Sequence, residues 1–256
     1  MAYFDVLNLV FAPLLKMPPL VTVLSMSLLV SLIVILITKY TTNQELMKGL
    51  REEIKQHQKQ IKELRNNPAK AMEVQKKAME ANMKYMSHSL KPTLITFLPI
   101  ILIFGWMNSN FAYEGISPQQ EFNIYAIFDK MAVGKAELIV PEGFGVIDDK
   151  SVEIAPLTIN KKDFEKAATW TLKGQEGEHV VEVAYNNERQ QKIVLIDGNK
   201  YIEPSKSYKG MIKIVQIDYK PKKILNLFGW KIGWLGTYII FSILLTSVLR
   251  KVMKVY

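Results

Sequence analysis

Eighteen residues in a row without a charge, Leu20 to Ile37, restrict this chain more than any other feature. A helix of that length rises ~27 Å, close to the ~30 Å of a bilayer's hydrocarbon core. The block closes on Thr38, Lys39 and Tyr40, a polar edge with one cation that can snorkel and one interfacial aromatic. A second block, from about Ile232 to Leu249, is closed by Arg250, Lys251 and Lys254, with Trp230 and Trp234 at its other edge. The block between them, Pro92 to Met107, is shorter and holds Pro92, Pro99 and Gly105. A buried helix of a soluble domain is one reading of it. Thr93 to Trp106 lacks a polar face, however, so a short, kinked span fits better. Three spans are therefore expected, over 20–38, 92–108 and 230–249.

Charge gives these spans a direction. Lys39 to Lys91 carries twelve Lys and Arg against six acids, and three more cations follow Leu249 in the tail, 250–256. The long connector from Asn108 to Gly229 is nearly balanced, with sixteen basic and seventeen acidic residues. The positive-inside rule puts the basic connector and the tail in the cytoplasm, and the N-terminus and long connector outside the plasma membrane. No basic segment precedes the first block and no small-x-small site follows it, so the block is expected to be retained rather than cleaved. Residues 1–19 are mostly apolar but interrupted by Asp5, Asn8 and prolines, which suits a short helix lying in the outer interface.

Segment 42–90 is rich in helix formers. Met47, Leu50, Ile54, His57, Ile61 and Leu64 repeat at spacings of three and four, a heptad seam. Asn66-Asn67-Pro68 then stops the helix, with Asn67 placed to cap a new one and Pro68 at its first position. Both ends join spans on one side of the membrane, so the segment is expected to form a cytoplasmic antiparallel helical hairpin, a coiled coil. On the returning arm Met72, Met79, Met83 and Met86 form a broad face. They can pack on the first arm. Alternatively, part of this flexible, polarizable stripe stays open to receive a hydrophobic segment.

Residues 117–221 change to alternation with turn signals. Glu137–Val140, Ser151–Ile154, Val180–Tyr185, Lys192–Ile196 and Met211–Tyr219 read as strands of an extracellular β-sandwich-like insertion, and Gln119 to Ala132 as a helix leading into it. The fold class is thus membrane α-helical with a β-rich insertion. Catalytic chemistry is not in view. The chain has no cysteine, and His57, His88 and His179 lie far apart. The acidic pairs Asp148-Asp149 and Glu176/Glu178 lie in turns, and no nucleophile constellation or phosphate loop stands out. No metal, cofactor, small-molecule substrate or enzymatic activity is expected.

The order of parts resembles the archaeal YidC-like insertases of the YidC/Oxa superfamily, to which the core subunit of the ER membrane protein complex also belongs. The likeness rests on Phe11 to Leu15 with Pro18-Pro19, on the charged hairpin ending in Ser89-Leu90-Lys91-Pro92, and on Phe228-Gly229-Trp230 with Gly233 to Gly236 before the last span. It implies an insertase and chaperone of membrane-protein clients, nascent or released. Such a protein uses no nucleotide and opens a hydrophilic groove to cytoplasm and lipid. Candidate groove residues are Ser27 and Ser31 on the first span, Thr93 and Thr96 on the second, and Tyr238, Ser242 and Thr246 on the third. Hydroxyls of this kind also serve as ordinary helix–helix contacts. No span carries an internal charge, so Lys39 or Lys91 at the rim would supply any groove cation. The hairpin tip, with Lys59, Lys62, Arg65 and Lys70, could meet ribosomal RNA through its phosphates. A receptor or sensor, or an envelope assembly factor acting through the external β domain, is the competing reading.

Overall fold

The computed structural model describes residues 2–64, 66–159 and 161–255, without the side chains of residues 2–6. The chain divides into two units, one of residues 1–106 with 224–256 and one of residues 107–223.

The first unit is helical. Helix α1 (Ala2–Leu15) keeps Pro13 inside its last turn, and Asn8 accepts a 2.7 Å hydrogen bond from the Trp106 indole N–H. The Phe11 ring tilts against the same indole at 5.0 Å. Helix α2 (Pro19–Thr41) opens with Pro19 in the first turn, where a missing N–H costs nothing, and ends as Thr42 turns to extended backbone. Helix α3 (Gln44–Glu63) is capped by Asn43, whose side chain accepts from the N–H groups of Glu45 and Leu46. After a short turn Asn67 caps the next helix through Lys70 N–H at 3.2 Å.

That next helix, α4 (Pro68–Phe111), is a single run of 44 residues containing Pro92 and Pro99. The sequence reading separated a hairpin arm from a second span at Pro92, and the structure joins them. Each proline removes one intrahelical donor. The helix continues through both sites, and beside the first of them Thr93 donates to the Ser89 carbonyl at 2.9 Å. Helix α5 (Trp234–Met253) starts four residues later than the expected third span. Trp230–Gly233 is instead strand β12, paired with β11 (Lys223–Leu227). Phe228 and Gly229 turn this hairpin with φ of 51° and 94°, the left-handed pair that a tight two-residue turn requires. Helices α2, α4 and α5 are each long and apolar enough to cross a membrane.

The second unit is a two-sheet β structure. One sheet runs β3 (Phe144–Val146), β6 (Lys162–Gly174), β1 (Phe122–Phe128), β10 (Ile212–Ile217) and β9 (Ser205–Ser207), with β5 (Ala155–Ile159) also on β6. The other runs β4 (Ser151–Glu153), β2 (Lys135–Ile139), β7 (Gly177–Tyr185) and β8 (Glu188–Ile196). The pairings described within both sheets are antiparallel. The core between them joins Ile124, Trp170 and Val215 from the first sheet with Leu138, Val183 and Val194 from the second. The expected helix over Gln119–Ala132 is a strand instead. Phe122, Ile124, Ala126 and Phe128 alternate inward, and period two dominates over helix propensity. Two backbone bonds close the neck of the unit: Glu114 N–H to Lys220 carbonyl at 2.8 Å and Lys222 N–H to Ala112 carbonyl at 3.0 Å.

Candidate functional site

Within the helical unit, a cavity of about 110 Å³ opens where α2, α3, α4 and α5 meet their charged ends. Val34, Thr38, Thr42, Met47, Tyr85, Ser89, Pro92, Thr93, Thr96 and Arg250 line it. Since a water needs only ~10–15 Å³ of such space, it has room for several. The threonine hydroxyls are spent on their own helices. Thr38 donates to Val34 at 2.7 Å, Thr42 to Thr38 at 2.6 Å and Thr96 to Thr93 at 3.0 Å. Their remaining lone pairs can accept from water. Arg250 supplies the opposite polarity, and its buried Nε has no hydrogen-bond partner among the described residues. The apolar stretches of α4 (92–107) and α5 (234–249) each rise only ~24 Å at 1.5 Å per residue, less than a ~30 Å core. Thr96 lies five residues, ~7.5 Å, deeper than Lys91, so the polar wall reaches into the span.

The seven expected groove residues fall into three groups. Thr93 and Thr96 line the cavity. Ser27 and Ser31 are buried at 0% and 3% exposure; Ser27 donates to Val23 at 2.7 Å, and Ser31 accepts from Thr246 at 3.2 Å, tying α2 to α5. These three hydroxyls bond within a helix or between helices, and none of them lines the cavity. Tyr238 meets Phe104 edge-on at 4.8 Å, and Ser242 donates to the Ile239 carbonyl. Neither lines the cavity. The cavity wall carries a cation at a position the sequence reading did not select. Lys39 and Lys91 are exposed and not in the cavity wall, whereas Arg250, set down as a closing charge, is. Thr38, Thr42 and Ser89 were also missed. Thr38, Thr42 and Ser89 sit at span ends, where a helical hydroxyl has no pattern to mark it.

The methionines lie elsewhere on α4. Met72, Met79, Met83 and Met86 are between 54% and 71% exposed, and Met72, Met79 and Met83 line a shallow groove with Gln75, Lys76 and Glu80. The face of α4 that turns inward is a different one, Ala71, Val74, Ala78, Ala81 and Tyr85, again spaced three and four. On α3 the buried positions are Met47 and Leu50, with Ile54, His57, Ile61 and Leu64 half-buried. Small alanines supply the inward seam, leaving the methionines to solvent.

The exposed stripe does not stop at the span. Met79, Met83, Met86, Leu90, Leu94, Phe97 and Ile101 follow at spacings of four, three, four, four, three and four, each at least 49% exposed. At 100° per residue the stripe drifts only ~40° over those 22 residues, so it is one face of one helix. Thr93, on the cavity wall, stands next to it.

Lys59, Lys62 and Lys70 are exposed, and Arg65 lies outside the described residues. Among the described residues no group of three or more acids and histidines could hold a metal. In the β unit, a cleft of about 260 Å³ is lined by Glu114, Glu121, Asp218 and Tyr219 among others. Burial pushes the Tyr201 and Tyr219 phenols up to about 12. Lys192, nearly buried, donates to the Glu203 carbonyl, and burial lowers its pKa.

No curated protein and no solved structure matches the chain. One family does, described as integral membrane protein EMC3/TMCO1-like, over residues 8–135, from α1 through α4 and into the first strands of the β unit. With three membrane-length helices in place, the chain belongs to the EMC3/TMCO1-like family of integral membrane proteins, within the YidC/Oxa1/Alb3 superfamily.

Proposed function

We propose that this protein is a membrane protein insertase that takes hydrophobic segments from the cytoplasm into the bilayer without an energy source. The observation that carries this reading is the unbroken apolar stripe on α4, running from Met79 outside the span to Ile101 within it, beside a polar cavity. A hydrophobic client covers the methionines, and its short polar flank enters the cavity. There waters and Arg250 reduce the cost of carrying polar groups into the span. The short spans thin the barrier further. In this reading α3 and the first half of α4 form the cytoplasmic antiparallel hairpin, with the N-terminus and β unit outside. The exposed Lys59, Lys62 and Lys70 bring the hairpin tip to phosphates of a translating ribosome. No covalent step is needed.

Photocrosslinking probes at Met83 and Leu94 test the reading in native-like vesicles carrying a ribosome-bound nascent membrane protein. Adducts from both sites are expected, the Met83 adduct forming first, and both lost when the client's apolar segment is made polar. Incorporated probes that yield no adduct in a folded protein refute it. The cleft of the β unit favours a second reading, a receptor acting through that unit. Insertion by a chain lacking the β unit separates the two.

A further inference from the structure

A second cavity of the helical unit, about 440 Å³, is lined by Arg51, Ser247, Arg250, Lys251, Lys254 and Val255. Four of its six wall residues are cations, and none is an acid. None of these four is in an ion pair among the described residues. The C-terminal dipole of α5 accounts for cations on its own last turn. It does not account for Arg51, which comes from α3. Nor does it account for the buried Arg250 Nε that lacks a partner. Arg250 stands on the walls of both cavities, so a water in the first or an anion in the second can supply that acceptor. The Arg250 carbonyl does not compete for that role: the N–H groups of Lys254 and Val255 already satisfy it.

We infer that this cavity binds a phosphate-bearing anion, specifically the headgroup of an anionic phospholipid in the leaflet where α5 ends. Arg250 offers a planar fork that matches two phosphate oxygens, while Arg51, Lys251 and Lys254 supply further charge around it. The site lies where the apolar part of α5 stops, the depth at which lipid phosphates sit. Basic pockets at that depth select anionic headgroups. Arg250 lines the groove cavity as well, so the bound headgroup holds the guanidinium on the wall of both. The inference stands on the basic cavity and does not require the insertase reading.

The test is native mass spectrometry of the full chain released from nanodiscs of phosphatidylcholine containing one-fifth phosphatidylglycerol. One retained phosphatidylglycerol per chain is expected, falling at least fivefold in Arg51→Gln/Lys254→Gln. It is kept in Arg51→Lys/Lys254→Arg and in the charge-matched control Lys55→Gln/Lys84→Gln on α3 and α4. Glycerol 3-phosphate added in millimolar excess should leave the lipid in place, since the acyl chains contribute to binding. Equal loss in the control pair overturns the site in favour of diffuse attraction. Displacement by glycerol 3-phosphate overturns the lipid assignment in favour of a soluble phosphate.

Discussion

The double substitution Met79→Ser/Met83→Ser separates a capture surface from a packing surface. Complete burial of a methionine side chain is worth roughly 1.5–3 kcal/mol. Met79 and Met83 are already 59% and 68% exposed. Covering what remains would yield together ~2–4 kcal/mol, and a client that covers half of it ~1–2 kcal/mol. At 1.4 kcal/mol per decade, the double mutant should bind a hydrophobic client about 5- to 30-fold more weakly. The assay is fluorescence anisotropy of a labelled apolar segment presented to the reconstituted full-length protein, with thermal unfolding measured alongside. Unfolding should move little, because the side chains lie opposite the Ala71, Val74, Ala78 and Ala81 seam. Ala81→Ser, at 2% exposure, should do the reverse and lower stability with less effect on client affinity. Unchanged client binding in the double mutant, or a large drop in its unfolding temperature, refutes the argument that this face is kept free for a partner.

Thr246→Val keeps the side-chain volume but loses the 3.2 Å bond to Ser31. Interhelical bonds in membranes average ~0.6 kcal/mol and reach ~1.7, so a steric-trapping measurement should show a loss in that range. A double-mutant cycle with Ser31→Ala should return most of that loss as coupling. In the β unit, Tyr125, Tyr201 and Tyr219 are held near 12 against an ordinary 10.0. The folded unit keeps phenolic protons that the unfolded chain releases, so its stability, complete below pH 10, should fall as pH rises toward 12. Alkaline absorbance titration with parallel melts checks this. The neck of the β unit brings Glu114 beside Lys220. Replacing residues 115–219 with a short Gly/Asn linker should therefore leave the helical unit folded and insertion active, as scored by protease protection of a client's translocated tail.

What could be read from the sequence follows the scale of each signal. Leu20 to Ile37 shows its span because every residue contributes, and the alternation of β7 and β8 was visible for the same reason. Phe122 to Phe128 alternates too, but flanking helix formers obscured it until strand pairing with Thr169 and Trp170 made the choice. Pro92 read as a boundary because local rules treat proline so. In the structure α4 runs on through it. The cavity was the least legible. Thr93 and Thr96 were singled out and line it, whereas Arg250 was not, because its place on the wall depends on α2 and α4 meeting the last turn of α5, a long-range fact with no local pattern.

The absence of a break in α4 also sets an angular phase. Along a continuous helix, position along the axis and direction around it both follow from residue number, so Met83 and Leu94, eleven apart, face nearly the same way. Inserting two residues between Met86 and Thr93 would rotate the methionines by ~200° relative to the span, while inserting eleven would lengthen the helix by ~16 Å and restore the facing. The spacing between those two residues therefore acts as a timing mark. Under the proposed insertase function, it sets both the height at which a client is met and the side of the span on which it arrives.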